Sequence, residues 1–411
     1  MALTLLRGGT ILAPAPLGTG DLVIAGRDIL AVGPVSGPTG GSASGSASGL
    51  DPVPSDVVDC ADLLVVPGVV DGHLHILGGG GGAGYHSRIP QLPADPVVEA
   101  GTTTCVGMPG VDPVTKSPEA MLAQAYALTA TGPRTWAMAG GFHWPPPTVT
   151  GSVQRDLHLL PHLVGIKIAL YEHRATCPDQ TELVRLLREL EWAAGATGKA
   201  CLLHVHLGTA SGDPDLLPRA LERSGADPAR LQVTHANHTG GTLDLAAGLG
   251  RLGCWVDVNP LINPDRIPGA VAPVDAVRAL LAAGVSAGRI TLSSDGNASV
   301  PRVRPDGSAE PFAYRVELLP TVGALTAAGV LELPAALALV TTNPAAALRL
   351  VVGTLRTGAP ADVAVLDADL RVRHVFRDGV PLVRHGRTVS PDPFRPLTSR
   401  RPGPVDSPGT A

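Results

Sequence analysis

The pattern of apolar positions changes near residue 63 of this 411-residue chain. Residues 1–62 carry short apolar runs with glycine-containing turns between them, which predict β-strands. From residue 63, short buried runs alternate with longer stretches of helical period. Eight runs have the length and composition of buried strands: 64–70, 103–108, 135–139, 164–169, 200–206, 231–235, 254–258 and 290–295.

Helical patterns fill several of the intervals between these runs, at 117–131, 180–194, 214–224, 243–252 and 274–283. Eight strands with helical crossovers over residues 63–351 predict an α/β fold, a (β/α)8 barrel of the TIM type. A doubly wound parallel sheet is the competing arrangement, and it would bind ligands only at its switch point. Polar residues after several different strands favour the barrel.

The two ends of the chain are predicted to form a second unit. Short strand patterns return at 362–366, 372–377 and 380–384, so residues 1–62 and 352–390 are expected to pair into a small β-sandwich-like domain. Residues 34–55 are rich in glycine, serine and proline and predict a flexible loop within it. The last stretch, 391–411, has the composition of a disordered tail.

Composition narrows the class of protein. Hydrophobic residues make up 44% and charged residues 16%, with a net charge of −5, which favours a soluble enzyme and gives no reason to expect nucleic acid. No apolar run is long enough for a membrane span, and the N-terminus lacks a signal-peptide pattern. Five scattered cysteines without CxxC spacing indicate a reducing cytoplasm. We expect a cytoplasmic enzyme with a small-molecule substrate.

Metal-competent side chains follow the ends of the predicted strands. His73 and His75 form a His-x-His pair after the first strand, and residues i and i+2 of an extended segment point the same way. Later strands end in four more such residues: Lys167, His206, His235 and Asp295. Since active sites of these barrels lie at the carboxyl ends of the strands, the six residues predict one metal site.

Lys167 is an unusual member of this set, because an ammonium group repels cations. The chain has only three lysines among its 31 basic residues, so a lysine inside an apolar strand suggests a task that arginine cannot perform. A desolvated amine can lose its proton and react with carbon dioxide. The resulting carbamate is an anion whose two oxygens can bridge two metals.

The order His-x-His, Lys, His, His, Asp resembles the binuclear zinc subtype of the amidohydrolase superfamily. The segments GHLHILGGGG, TVTGSV, GIKIAL, THAN and TLSSDGNAS are similar to those of its isoaspartyl dipeptidases. The resemblance implies one zinc on His73, His75 and Asp295 and another on His206 and His235. It implies that carboxylated Lys167 and a hydroxide bridge them, that Asp295 is the catalytic proton carrier, and that the protein is a homo-oligomer.

The resemblance also implies a set of substrate-binding positions: Arg174, Ser299, Gly80, Gly82, Phe142 and His238. Several of them depart from the family. Gly82 replaces a glutamate that receives the substrate ammonium, Phe142 replaces a tyrosine, and His238 replaces an arginine. Val111 stands where the family has a threonine. The prediction is therefore an isoaspartyl-dipeptidase-like amide hydrolase, acting on a small amino-acid or dipeptide-like substrate with an altered pocket.

Two alternatives stay open. A cyclic-amide hydrolase of the hydantoinase or dihydroorotase type keeps the chemistry and changes the substrate. A non-catalytic scaffold on the same barrel is the other alternative, although the complete set of ligands argues against it.

Overall fold

The structure is a computed structural model that describes residues 3–34, 55–298, 302–303, 309–310 and 316–389. The predicted flexible loop, apart from its two end residues, and the predicted tail lie outside these ranges.

The chain begins with five strands of one mixed sheet: β1 (Leu3–Leu12), β2 (Pro16–Ala25), β3 (Asp28–Pro34), β4 (Ser55–Asp59) and β5 (Leu64–Pro67). β1 is central, because it pairs antiparallel with β2 and parallel with β4 and β5. Leu6, Ile11, Leu22 and Ile24 from β1 and β2 are buried in the core of this sheet.

Eight parallel strands then form the predicted barrel: β6 (Val69–Leu74), β7 (Thr102–Gly107), β8 (Arg134–Gly140), β9 (Leu163–Leu170), β10 (Leu202–Leu207), β11 (Leu231–Thr234), β12 (Trp255–Val258) and β13 (Ile290–Leu292). They pair in sequence order. A parallel bridge between Leu74 and Gly296 links the first strand to the segment after the last one. The (β/α)8 prediction is therefore confirmed.

The first predicted barrel strand is divided at Gly68. Residues before it, in β5, pair with the small sheet, whereas residues after it, in β6, pair with β7. A Cβ atom at Gly68 would lie 2.2 Å from Thr103 Oγ1, so only glycine allows this approach. The prediction of one strand over 64–70 was wrong because two consecutive apolar runs have no polar residue between them.

Ten helices are described, and several begin or end as predicted: α1 (Ala94–Glu99), α2 (Pro118–Thr131), α3 (Val153–Leu159), α4 (Gln180–Thr197), α5 (Leu216–Ser224), α6 (Gly240–Arg251), α7 (Pro273–Ala282), α8 (Leu319–Ala327), α9 (Leu333–Ala338) and α10 (Thr342–Ala347). The Asp179 side chain accepts hydrogen bonds from the first turn of α4, and Gly198 ends that helix with a positive φ of 73°. None of the helices in the described ranges is both long and apolar enough to cross a membrane.

The last strands are β14 (Arg302–Val303), β15 (Ala309–Glu310), β16 (Val363–Leu366), β17 (Val372–Arg377), β18 (Val380–Arg384) and β19 (Arg387–Thr388). β16 pairs antiparallel with β5, so the two chain ends share one sheet, as predicted. Arg134 at the start of β8 forms ion pairs with Asp362 and Asp378 of that sheet. This contact joins the small sheet to the end of the barrel where β8 begins.

Candidate metal centre

The six predicted ligands meet at the carboxyl ends of the barrel strands. His73 lies in β6, Lys167 in β9 and His206 in β10. The other three follow strands directly or within three residues: His75, His235 and Asp295. All six side chains belong to residues that are buried. The barrel brings them together because each is attached to a strand end or to the short segment after it.

Asp295 is at the centre of this cluster. Its Oδ1 atom lies 3.2 Å from His73 Nε2 and 3.1 Å from His75 Nε2. Lys167 Nζ lies 3.2 Å from His73 Nε2. One ligand atom each from His73, His235 and Asp295 lie within 4.8 Å of one another. This separation is close to twice a zinc–ligand bond of about 2.1 Å.

Two buried polar atoms that face the cluster have no hydrogen bond from any described residue: His206 Nε2 and Asp295 Oδ1. Leaving such an atom without a partner costs about 1–3 kcal/mol. Imidazole nitrogens and carboxylate oxygens are the usual protein ligands of zinc. The residues present therefore fit a metal centre, and a cation would supply the missing partners.

The backbone at two of these residues is in the left-handed region. His235 has φ 62° and Asp295 has φ 51°, which few residues other than glycine adopt. Such conformations cost about 1–3 kcal/mol each and persist where the surrounding structure fixes them. Here they turn two side chains from the strand ends toward the cluster.

Asn259 fixes the orientation of the His235 ring. Asn259 Oδ1 accepts hydrogen bonds from the His235 backbone N–H at 2.9 Å and from His235 Nδ1 at 2.5 Å. Asn259 Nδ2 donates to the Ser293 carbonyl oxygen at 3.1 Å, so the amide cannot be reversed. His235 Nδ1 must therefore carry the proton, and the lone pair of Nε2 is available for a metal.

Burial keeps the imidazoles of the cluster neutral. It lowers the pKa of His206 to about 4, although contact with Glu172 opposes the shift. Burial likewise lowers the pKa of His73, His75 and His235, with nearby Lys167 or His206 adding to the effect. Neutral imidazoles have the lone pairs that metal binding requires.

The pKa values of Lys167 and Asp295 are both lowered in this site, in agreement with their predicted roles. Burial lowers the pKa of Lys167 to about 8. Burial alone would raise the pKa of Asp295, but contact with His75 and the neighbouring His235 and Lys167 bring it to about 2. At neutral pH the carboxylate is therefore ionised, and a fraction of the amine is uncharged.

Arg174 is held by an acidic neighbour that the sequence pattern did not indicate. Its Nε and Nη2 atoms donate to the two Glu172 carboxylate oxygens, each at 2.9 Å. Glu172 Oε2 also lies 3.4 Å from His206 Nε2, without the alignment of a hydrogen bond. Burial would raise the pKa of Glu172, but contacts with His206 and Arg174 hold it well below its usual range. Arg174 is therefore oriented, and partly neutralised, by Glu172.

A cavity of about 350 Å³ opens over the cluster. The predicted residues at its wall are His75, Lys167, His206, His235, Asp295, Gly80, Phe142, Arg174 and His238. His73 is fully buried beneath them. Three further wall residues come from the segment after β12: Ile262, Arg266 and Ile267. The sequence carries no signal for these three, because the segment has no metal-ligand spacing.

Three of the four substrate-side replacements, Val111, Phe142 and His238, line this cavity, whereas Gly82 lies behind Val111 and is not a wall residue. A Cβ atom at Gly82 would lie 3.3 Å from Val111 Cγ2 and 3.9 Å from Arg174 Cδ. The Phe142 ring lies 5.4 Å from the Arg174 guanidinium carbon and 4.8 Å from the His206 ring centre. His238 Nδ1 is 3.2 Å from the Leu207 carbonyl oxygen, to which it donates. Ser299 lies outside the described residues.

The glycine loop of the site is held by Lys116. Its Nζ atom donates to the carbonyl oxygens of Gly78 at 2.5 Å, Gly79 at 2.8 Å and Ile89 at 3.3 Å. Gly80 has φ 73°, and a Cβ atom there would lie 2.0 Å from the Ser87 carbonyl oxygen. The turn that lines the cavity therefore requires glycine at this position.

Comparison with solved structures shows that this chain is similar to known hydrolases. The β-aspartyl dipeptidase of Fervidobacterium islandicum AW-1, in complex with the β-Asp-Leu dipeptide, is 26% identical with a TM-score of 0.82, covering 94% of this chain and 97% of that one. The D-hydantoinase of a Thermus species is 16% identical with a TM-score of 0.63, covering 94% and 97%. At that identity, the second comparison supports the fold alone.

A sequence profile described as the amidohydrolase family matches residues 171–389, just over half of the chain. The match includes His206, His235 and Asp295, whereas His73, His75 and Lys167 precede it. The cluster of predicted ligands therefore extends beyond the matched segment. The chain belongs to the amidohydrolase family and is a hydrolase.

Proposed function

We propose that this protein hydrolyses an amide bond of a small amino-acid derivative with the aid of two zinc ions. His73, His75 and Asp295 would hold one ion, His206 and His235 the other, and carboxylated Lys167 would bridge them. The observation that carries the proposal is Asp295 Oδ1, which faces two histidine nitrogens at 3.1 and 3.2 Å and accepts no hydrogen bond from the described residues. Bound zinc would polarise the scissile carbonyl and lower the pKa of water to about 7.

The environment of Lys167 supports the carbamate. With a pKa of about 8, roughly a tenth of the amine is uncharged at pH 7. The uncharged nitrogen adds to the carbon of CO2 and forms an N–C bond. The nitrogen then releases one proton, and the product is an anionic carbamate. The side chain is almost completely buried, so a free ammonium there would be costly.

Asp295 is suited to carry a proton between the attacking water and the leaving amine. It is ionised at neutral pH, with a pKa of about 2. It also lies at the cavity wall, within reach of a bound substrate. A carboxylate that takes a proton and then gives it to the departing nitrogen performs general base and general acid catalysis in turn.

The substrate we propose has one carboxylate and lacks a free α-amino group. Among the described residues of the cavity wall, Asp295 is the only acid, and the proposed metal would use it. An ammonium in the cavity would therefore lack a counter-ion, which is costly at a buried site. Arg174 at the wall favours an anion, and Val111, Phe142 and Ile262 favour an apolar body.

A hydrolase of cyclic amides is the second candidate. The observation that favours it is the same absence of an acid for an ammonium at the described cavity wall, because rings such as dihydrouracil carry no ammonium. Such rings also carry no carboxylate, so the two candidates differ in whether Arg174 is used.

A graded series of substrates tests both. The first three substrates are β-Asp-Leu, N-succinyl-leucine and N-propionyl-leucine, which all have leucine as the leaving amine. Along this series the acyl group loses first its amino group and then its carboxylate. Dihydrouracil represents the cyclic amides. We expect kcat/KM to rise along the first three. Fastest turnover of β-Asp-Leu would contradict the proposed substrate class, and fastest turnover of dihydrouracil would favour the second candidate. Metal analysis should find close to two zinc ions per chain, and a metal-free active protein would contradict the mechanism.

A further inference from the structure

A line of hydrogen bonds runs from His73 away from the cavity into the barrel. His73 Nδ1 lies 3.2 Å from His204 Nε2, and His204 Nδ1 lies 2.9 Å from Gln232 Oε1. Gln232 Nε2 donates to Thr291 Oγ1 at 3.0 Å, and Thr291 Oγ1 donates to Asp257 Oδ1 at 2.7 Å. All five residues are buried.

The far end of this line sets its direction. As a carboxylate, Asp257 only accepts hydrogen bonds, and it also receives them from Thr234, Ser293 and Asn259. Thr291 uses its single hydroxyl proton on Asp257, so its oxygen accepts from Gln232 Nε2. The amide of Gln232 is thereby oriented with Oε1 toward His204.

Each histidine in the line then has one allowed tautomer. His204 is fully buried, and its ring nitrogens contact an amide oxygen and another imidazole rather than a carboxylate, so its ring is neutral and has a single N–H. That proton is on Nδ1, because the ring must donate to Gln232 Oε1. His204 Nε2 is therefore an acceptor and receives the Nδ1 proton of His73. The remaining nitrogen of His73, Nε2, keeps its lone pair toward Asp295 and Lys167.

We propose that His204 and Gln232 are positioning residues that fix His73 in the tautomer required for metal binding. This role rests on the proposed metal centre. It differs from that of Asn259, whose carbonyl oxygen accepts directly from His235. His73 is instead connected to the Asp257 carboxylate through an imidazole, an amide and a hydroxyl group. Its other polar neighbour on that side, Thr234 Oγ1, is 3.5 Å away.

Zinc affinity of the full chain, measured by competition with a chelator, is the first test. We call the hydrogen-bonded pair His204 and Gln232 the relay. The double variant His204→Leu/Gln232→Leu removes both polar side chains together, so neither is left buried without the other. We expect this double variant to fold with a melting temperature near that of the wild type and to bind zinc about 10–100-fold more weakly. His204→Gln should retain most of the affinity, because its carbonyl oxygen can occupy the position of the Nε2 acceptor.

His374→Leu is the matched control, because it also replaces a buried histidine but lies in β17 of the small sheet. It should leave zinc affinity unchanged. A folded double variant with wild-type zinc affinity would overturn the relay, as would equal losses in the double variant and in the His374 control.

The second test needs no metal. Long-range 1H–15N correlation spectra of histidine-labelled, zinc-free protein report which ring nitrogen is protonated, and His73→Asn assigns the resonances. We expect His73 to carry its proton on Nδ1 in the wild type and to be a mixture of tautomers in the double variant. His73 protonated on Nε2 in the wild type would overturn the relay. If the wild type binds no zinc, the proposed function fails, while this spectrum still decides the tautomer.

Discussion

The two ends of the cavity are built in different ways. At the metal end, His73 and His235 are each oriented by a buried hydrogen-bond partner, and the backbone at His235 is held in an unusual conformation. At the substrate end, Val111 and Ile267 present apolar surface with few polar contacts. The metal end therefore constrains each residue from several directions, whereas the substrate end can change one residue at a time. This difference would explain how the proposed ligand set can be complete while the proposed substrate positions differ from those of the family.

Glu172 connects the two ends. It forms a two-point ion pair with Arg174 on the substrate side and lies 3.4 Å from His206 on the metal side. A change at this residue would therefore alter both ends at once. Substitutions that test one end should leave Glu172 in place.

The largest expected effect is at the metal end, for Lys167→Ala. Loss of the proposed bridge should remove zinc and several kcal/mol of transition-state stabilisation, on the order of 10³-fold in kcat/KM. Metal analysis and steady-state kinetics on the preferred leucine derivative measure the two losses together. Added short carboxylates should restore part of the activity by standing in for the carbamate.

Lys199→Ala is the control for this substitution. Lys199 is a half-buried lysine that is not among the described residues of the cavity wall. Its amine donates to the carbonyl oxygens of Leu160 and Leu163. Zinc content should remain that of the wild type. Full activity of Lys167→Ala without additives would show that the lysine does not bridge metals.

A smaller effect is expected from restoring the substrate end. The quadruple variant Gly82→Glu, Val111→Thr, Phe142→Tyr and His238→Arg supplies an ammonium partner, a carbonyl donor and a carboxylate partner. It should raise kcat/KM for β-Asp-Leu by about 10²-fold, the usual weight of one such donor or more. Gly82 does not have a positive φ, and a Cβ atom there would lie 3.3 Å from Val111 Cγ2. A side chain at position 82 therefore needs only a small shift of residue 111, which is a threonine in this variant.

The same four substitutions should leave zinc content unchanged, because none removes a proposed ligand. An unchanged preference for N-propionyl-leucine in a folded, zinc-loaded quadruple variant would break the comparison between the two ends. Wild-type protein that already hydrolyses β-Asp-Leu at about 10⁴ M⁻¹s⁻¹ or more would break it as well.

Sequence alone predicted the barrel and the meeting of six polar residues, because strand ends of a parallel barrel share one face. It did not predict Glu172 as a partner of Arg174, although the two residues are only two positions apart in YEHR. It also indicated no role for Asn259, since an amide that orients a histidine leaves no spacing pattern. Partners of this kind depend on side-chain directions across strands, which a single sequence does not encode.

The scarcity of lysine is informative about more than the proposed metal site. Lys116 and Lys199 each direct the amine at converging backbone carbonyl oxygens, and the Lys167 amine lies beside His73. A compact ammonium can donate in three directions from one point, whereas the guanidinium group is a planar fork. In a chain that otherwise uses arginine, all three lysines thus have partly or fully buried amines.

The substrate end offers a third prediction, with Arg174→Met. If Arg174 binds the substrate carboxylate, the loss of a charge-assisted contact of about 1.5–3 kcal/mol should raise KM by about 10–100-fold with little change in kcat. Arg278→Met is the control, because Arg278 is an exposed arginine of α7 paired with Asp275. Equal KM values for N-propionyl-leucine in wild type and Arg174→Met would show that Arg174 does not bind a substrate carboxylate.

The smallest expected effect concerns the pH dependence of the zinc-free protein. The pKa of His206 is lowered to about 4 in the folded state, against about 6.5 for an ordinary histidine. Between these two values the unfolded chain binds a proton that the folded chain does not, so the free energy of unfolding decreases as pH falls from 6.5 toward 4. His206→Asn should therefore reduce this pH slope by up to about 1 kcal/mol per pH unit, as measured by urea unfolding.

A matched control separates the burial of His206 from the substitution itself. His173→Asn makes the same substitution at an exposed residue that also contacts Glu172. This control should not change the slope between pH 6.5 and 5. An equal slope in wild type and His206→Asn would mean that burial does not lower the pKa of this histidine. Burial would then not explain why its ring is neutral and able to bind zinc.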